Sequence, residues 1–122
     1  MKDLFELLYD TTKEFGASRA YGPDMKNMES FRPKCCEFIS EGDITILSLR
    51  DALITAGNIL EEDLETNTYK AVIHLGNSNL KTALAVARIE EGKAHVCTYA
   101  KEGLINQHMA KKAITKLKTL LE

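Results

Sequence analysis

Hydrophobic and polar positions alternate most clearly between residues 69 and 100, where the pattern predicts three consecutive β-strands. Glu91-Gly92 and the cluster 76–79 are turn-forming sequences that separate these strands. Glu90 and Lys93 flank the second turn as an opposite-charge pair. Apolar residues of the first strand share one side of the pleat, at Tyr69, Ala71, Ile73 and Leu75.

Pairing outward from the two turns gives a register for the sheet. In it we expect Ile73 opposite Thr82, and Leu84 opposite Tyr99. One face is then bulky, and the other carries mainly small side chains, among them Ala83, Ala85 and Ala87. A sheet that is apolar on both sides must be covered on both, by helices or by another subunit.

Helical periodicity precedes the sheet. The first helix is predicted over residues 3–15, with the capping-box pair Asp3 and Glu6 at its start and Gly16 at its end. Pro33 is predicted to begin a second helix. The residues of this second helix that we expect to face inward are Cys35, Phe38 and Ile39.

A third helix is predicted just before the sheet and a fourth after it. Residues 44–47 fit a strand or a helix, whereas Ser48 and Asp51 have capping-box spacing, and the acidic run 61–63 ends the third helix. Its apolar stripe is Leu49, Ala52, Leu53, Ala56, Ile59 and Leu60. Asn106 is the predicted N-cap of the last helix. On that helix the inward residues are predicted to include Leu117 and Leu120, and the exposed flank carries Lys111, Lys112, Lys116 and Lys118.

We therefore predict a single α+β domain over residues 1–122, with N-terminal helices, a three-stranded antiparallel β-meander and a C-terminal helix packed on the sheet. Hydrophobic residues make up 44% of the chain and charged residues 28%, which excludes a disordered protein. The net charge of −2 divides into an acidic, mostly helical part (1–68, net −7) and a basic βββα part (69–122, net +5). Either the two oppositely charged halves attract each other, or the basic half binds an acidic partner.

Apolar runs and cysteines bear on location and metal binding. No run approaches the roughly 18–20 residues of a membrane span and no signal pattern begins the chain, so we expect a cytoplasmic protein with no membrane partner. Cys35 and Cys36 point about 100° apart on a helix, which leaves His95 and Cys97 as the best ligand pair. His74 faces the other way in the predicted register. We expect buried thiols and no metal.

Motifs of known catalytic chemistry are absent from the sequence: there is no nucleophile elbow, Gly-x-Gly-x-x-Gly, Walker loop or His-Glu-x-x-His. We therefore predict no catalytic residues. The lysine-rich last helix has no interleaved aromatic residues, which disfavours nucleic acid. The most suggestive motif is the turn at 76–81, whose candidate ligand-binding residues are Gly76, Asn77, Ser78 and Lys81.

The run Lys70-Ala71-Val72-Ile73-His74-Leu75-Gly76-Asn77-Ser78-Asn79-Leu80-Lys81 resembles the first phosphate-binding hairpin of actin-like ATPases, especially the bacterial cell-division and pilus-assembly branch. The similarity continues through the Glu-Gly turn into the last helix, over residues 70–121. In that family a strand ending in Asp-x-Gly-Thr/Ser-Ser leads into a turn whose backbone N–H groups hold phosphate. His74 occupies the position of the metal-associated Asp and cannot supply its carboxylate, so neither ATPase activity nor a cofactor is expected.

The order helix, three strands, helix between Leu49 and Leu121 resembles the C-terminal portion of Roadblock-type domains. These are small non-catalytic dimerising modules that regulate small GTPases and motors, so the resemblance implies a homodimer.

Two functional hypotheses follow. The first is a non-catalytic protein-interaction module that self-associates through the alanine-rich sheet face or an uncovered strand edge, or binds another protein. The second is a small-ligand or nucleotide-phosphate binder that uses the turn at 76–81 and the basic C-terminal helix.

Overall fold

A computed structural model of the chain describes residues 3–16, 28–76, 81–100 and 108–122. Within these residues, five strands form one antiparallel sheet with the spatial order β1-β5-β4-β3-β2. The strands are β1 (Cys36–Ile39), β2 (Gly57–Asp63), β3 (Thr68–His74), β4 (Thr82–Glu90) and β5 (Lys93–Tyr99). The predicted α+β class is confirmed, but the three-stranded meander is corrected to a five-stranded sheet.

Helices cover both faces of this sheet. They are α1 (Leu4–Gly16), the one-turn α2 (Met28–Phe31), α3 (Ile46–Ala56) and α4 (Met109–Leu121). α1 packs on one face, whereas α3 and α4 pack on the other. The C-terminal helix is therefore one of a pair on its face, which the sequence did not predict.

Both terminal helices lie close to their predicted positions. α1 begins with the expected cap, because Asp3 Oδ1 accepts a hydrogen bond from the Glu6 N–H at 2.9 Å. α4 begins after His108, whose φ is +54°, while the predicted N-cap Asn106 lies outside the described residues. Leu117 is buried as predicted, whereas Leu120 is exposed.

The hairpin between β4 and β5 has the predicted register. Leu84 lies opposite Tyr99, and Glu90 lies opposite Lys93. Glu91 and Gly92 both have positive φ, 52° and 80°, as a two-residue turn that follows the twist of its strands requires.

The pairing of β3 with β4 is one residue out of the predicted register. His74, rather than Ile73, lies opposite Thr82, and Ala71 lies opposite Ala85. Because side chains alternate between faces, a shift of one residue exchanges the faces of β4 relative to β3. The predicted bulky and small faces are therefore wrong, since the large side chains of β3 share their face with the alanines of β4.

Residues 57–63 form an edge strand, and the prediction that the third helix continues through Ile59 and Leu60 is wrong. This helix also begins earlier than Ser48. Thr45 is its N-cap, and its Oγ1 accepts from the Ser48 N–H at 3.1 Å.

Gly57 marks the point where α3 ends and β2 begins. A Cβ at this position would overlap the backbone carbonyl of Val72 on β3. Because that carbonyl belongs to the sheet and cannot move freely, only glycine lets β2 start so close to β3.

The predicted helix after Pro33 is also wrong. Residues 32–34 form a single 3₁₀ turn, and β1 then pairs with β5, with Phe38 opposite Val96. Phe38 packs against the core, while Ile39 is 57% exposed. A helix in this short segment would not be stable by itself, so backbone hydrogen bonds to β5 make residues 36–39 a strand.

The core is divided by the sheet into two apolar clusters. The cluster under α3 and α4 includes Leu49, Leu53, Tyr69, Ile73, Ala83, Ala85, Ala87, Val96, Ala113 and Leu117. The cluster under α1 comprises Leu8, Tyr9, Phe31, Leu84, Val86, Cys97 and Tyr99.

The alanines of β4 allow a helix to approach the sheet closely. Thr98 Oγ1 of β5 donates to the backbone carbonyl of Ala110 in α4 at 2.7 Å. Ala83, Ala85 and Ala87 are at most 1% exposed. This face is filled from within the chain, so only the strand edges remain for the predicted self-association.

Candidate functional site

A row of polar side chains crosses the face of the sheet that α1 covers, at the end of the sheet near the β4–β5 turn. The register places Asp63, Thr68, Arg88 and His95 side by side on β2, β3, β4 and β5. Alternation then puts all four on the face that carries Val86 and Cys97. We call this set the polar row.

Arg88 is the buried charge of the polar row. It is only 3% exposed, its Nε donates to Thr68 Oγ1 at 2.7 Å, and its Nη1 lies 3.5 Å from Glu90 Oε1. A buried guanidinium must be compensated by acceptors, because desolvation of a charge is costly. Thr68 and Glu90 therefore hold the Arg88 head group on the sheet.

Lys70 brings a second cation next to the polar row. Its Nζ lies 2.8 Å from Glu61 Oε2 on β2 and 3.8 Å from Glu14 Oε2 on α1. These two ion pairs join the edge of the sheet to the helix above it.

A cavity of about 270 Å³ lies between α1 and this end of the sheet. Its lining consists of Leu7, Glu61, Asp63, Thr66, Thr68, Lys70 and Arg88. Two cations and two carboxylates thus line one space, together with two hydroxyl groups and one apolar side chain. This arrangement can bind a small polar ligand.

The predicted turn site is described only in part. Gly76 has a φ of +78°, and the backbone N–H of Leu75 donates to the carbonyl of Lys81 at 2.8 Å. Lys81 is exposed. Asn77 and Ser78 lie outside the described residues, so phosphate binding at this turn stays a prediction.

The basic helix approaches the same end of β3. Lys116 Nζ donates to the backbone carbonyl of His74 at 2.6 Å and lies 3.4 Å from that of Ala56. This lysine therefore ties α4 to the sheet, whereas Lys111, Lys112 and Lys118 are exposed.

His74 stands beside that contact. Its Nε2 lies 2.7 Å from the Asn58 amide nitrogen, and its buried Nδ1 has no hydrogen-bond partner among the residues that the structure describes. The corrected register places His74 on the same face as Cys97, contrary to the sequence-based expectation.

Cys97 is buried as expected, whereas Cys35 and Cys36 are only half-buried. Burial raises the pKa of Cys35 to about 12, raises that of Cys97 well above its ordinary value, and also raises the pKa of Cys36. Protonated thiols are poor nucleophiles and poor metal ligands. In the described part of the chain, no group of three or more His, Cys, Asp or Glu side chains could hold a metal ion.

Sequence reasoning missed the polar row and the cavity. One signal was present, because Arg88 continues the alternating series Leu84 and Val86 at a position that should face the core. A charge in such a series indicates a buried group with dedicated partners. Asp63 and Glu61, which line the cavity with Arg88, were assigned to a helix end, which hid the cluster.

In comparisons with known proteins, no protein-family model, curated protein or solved structure matches the chain. The resemblances to actin-like ATPases and to Roadblock-type domains therefore stay predictions. Among the helices that the structure describes, none has the length and apolar character to cross a membrane.

Proposed function

We propose that this chain is a non-catalytic protein-interaction module that self-associates along the outer edge of β2. The observation that carries the proposal is the position of this seven-residue strand at the end of the sheet, where its outer side faces no other described strand. An unpaired edge is a template for a strand from another chain. β1, the strand at the opposite end, has only four residues.

Exposed apolar side chains flank this edge. Leu47 and Ile54 are exposed on one stripe of α3, with Arg50 between them. Arg50 Nε donates to Glu62 Oε1 on β2 at 2.8 Å, so this stripe lies beside the edge strand. Apolar side chains grouped next to an open edge are typical of an interaction surface.

The charges of β2 restrict how two copies can pair. The strand carries three successive carboxylates at 61–63, and at Leu60 it has a bulge with no partner on β3. Both features disfavour indiscriminate pairing with other strands. An antiparallel pairing with its two-fold axis at Leu60 avoids the repulsion. It sets Leu60 against its own copy, and places Gly57, Asn58 and Ile59 opposite Asp63, Glu62 and Glu61.

The test is the oligomeric state of a charge variant at the axis. Leu60 is 37% exposed, so Leu60→Asp leaves the monomer folded but brings two carboxylates together in the dimer. Light scattering over about two decades of concentration should show a dimer forming for the wild type and only monomer for Leu60→Asp. Leu120→Asp, at an exposed site on α4, is the matched control and should dimerise normally.

A cross-linking variant tests the position of the axis. Residues opposite each other across an antiparallel axis are close enough for a disulfide, so Leu60→Cys should form a covalent dimer under mild oxidation. Leu64→Cys, in the exposed turn that follows β2, should not. A wild type that stays monomeric throughout, or a Leu60→Asp variant that dimerises undiminished, would falsify the proposal.

A further inference from the structure

We propose that the cavity between α1 and the polar row binds a small zwitterion of the α-amino acid class. The carboxylate of the ligand lies towards Arg88 and Lys70, and its ammonium group lies towards Asp63 and Glu61. This site uses side chains on the α1 face of the sheet, whereas the proposed dimer uses the outer edge of β2, so the two proposals stand or fall separately.

The size of the cavity limits the ligand. Sites for drug-sized molecules measure roughly 300–1,000 Å³, and this cavity of about 270 Å³ is smaller. We therefore expect a ligand smaller than a nucleotide. Leu7 contributes an apolar wall from α1, which suits a short aliphatic side chain.

The charges of the lining select a ligand that carries both signs. Arg88 and Lys70 line the cavity together with Asp63 and Glu61, and Lys70 Nζ lies 2.8 Å from Glu61 Oε2. A phosphate or a dicarboxylate would be attracted by the cations but repelled by both carboxylates. A zwitterion can place its carboxylate next to the cations and its ammonium group next to the carboxylates.

The arrangement of these charges also suits a short ligand. Asp63 and Arg88 lie two strands apart, with Thr68 between them in the polar row. The hydrogen bond from Arg88 Nε to Thr68 Oγ1 places the guanidinium next to β3, the strand that separates it from Asp63. A cation and an anion thus flank Thr68 in the polar row, and we assign the two ends of the amino acid to them.

Asp63 is the residue best suited to a test. Its Oδ1 accepts a hydrogen bond from the Glu65 N–H at 3.1 Å, and the side chain is exposed. Asp63→Asn keeps that acceptor oxygen and the shape of the side chain, but removes the charge that would bind ammonium. Glu65→Gln removes a neighbouring charge that does not line the cavity and is the matched control.

The experiment is isothermal titration calorimetry of the full chain with the common free amino acids. We expect saturable binding of at least one small aliphatic amino acid, and loss of binding for its N-acetyl and its carboxamide derivatives. Asp63→Asn should weaken the affinity about tenfold or more, and Glu65→Gln should leave it unchanged.

Three results would overturn the site: no binding of any free amino acid at millimolar concentration, equal binding of the N-acetyl derivative, or unchanged affinity in Asp63→Asn. Titration of Leu60→Asp separates this site from self-association. That variant should bind the amino acid as the wild type does, whether or not the wild type dimerises.

Discussion

The two faces of the sheet are closed in different ways. Under α3 and α4, the alanines of β4 pack beside Tyr69 and Ile73 in a continuous apolar cluster. Under α1, the centre of the face is apolar at Leu84 and Val86, but the same strand carries the buried Arg88 near its end. One strand, β4, thus supplies a wholly apolar face and a face that changes from apolar to charged.

This difference explains where a ligand can bind. Small residues on β4 let two helices pack closely on the first face. α1 packs mainly on β4 and β5, so the polar end of the second face, near β2 and β3, keeps its cavity. A face that is only partly covered can retain charged groups and admit a ligand, which a fully packed face cannot do.

The largest effect is expected in the apolar centre of the α1 face. Leu84 is fully buried, so Leu84→Ala removes packing against the α1 cluster and should lower the free energy of unfolding by about 2–5 kcal/mol. Urea denaturation measures this change. Leu64→Ala, at an exposed position, is the control and should have little effect. A small effect of Leu84→Ala would mean that α1 does not close this face.

The polar end of the same face should depend on one hydroxyl group. Thr68→Val leaves the buried Arg88 Nε without its acceptor, and should reduce the free energy of unfolding by about 1.5–3 kcal/mol. Thr68→Ser restores the hydroxyl group and should recover most of the stability. If serine and valine variants unfold at the same urea concentration, Thr68 contributes only packing.

The α3/α4 face should resist any gain in volume. Ala85→Leu inserts a larger side chain beneath the two helices and should cost about 1–3 kcal/mol, because the closely packed cluster cannot expand. Thermal and urea unfolding both report this loss. Thr55→Leu adds an apolar side chain on the exposed side of α3 and should leave stability nearly unchanged. An equally stable Ala85→Leu variant would show that space remains on this face.

β2 connects the two proposals of this structure. Its outer edge carries the proposed two-fold contact at Leu60, and Glu61 and Asp63 extend from it into the cavity on the α1 face. Neither role could be predicted while residues 57–63 were assigned to the end of a helix. Ile59 and Leu60 continue the helical spacing of the apolar stripe of α3, so the sequence fits a longer helix as well as it fits a strand. The three acidic residues that follow resemble an exposed helix end.

Local sequence signals did predict much of the scaffold. Asp3 and Glu6 predicted the start of α1, the spacing of Ala113 and Leu117 predicted the buried side of α4, and the Glu91-Gly92 turn predicted the register of β4 with β5. Each of these features depends on residues a few positions apart. A capping side chain or a two-residue turn specifies its structure with little help from the rest of the chain.

The tertiary structure decided the features that depend on distant residues. The pairing of β3 with β4 differs from the prediction by one position, and this difference alone determined which large side chains share a face with the alanines. Pairing with β5 made residues 36–39 a strand, and the carbonyl of Val72 requires glycine at 57 where β2 begins. The sequence by itself determined the elements whose hydrogen bonds are local. Long-range packing decided which strands pair and which face each side chain occupies. The polar row and its cavity depend on that packing.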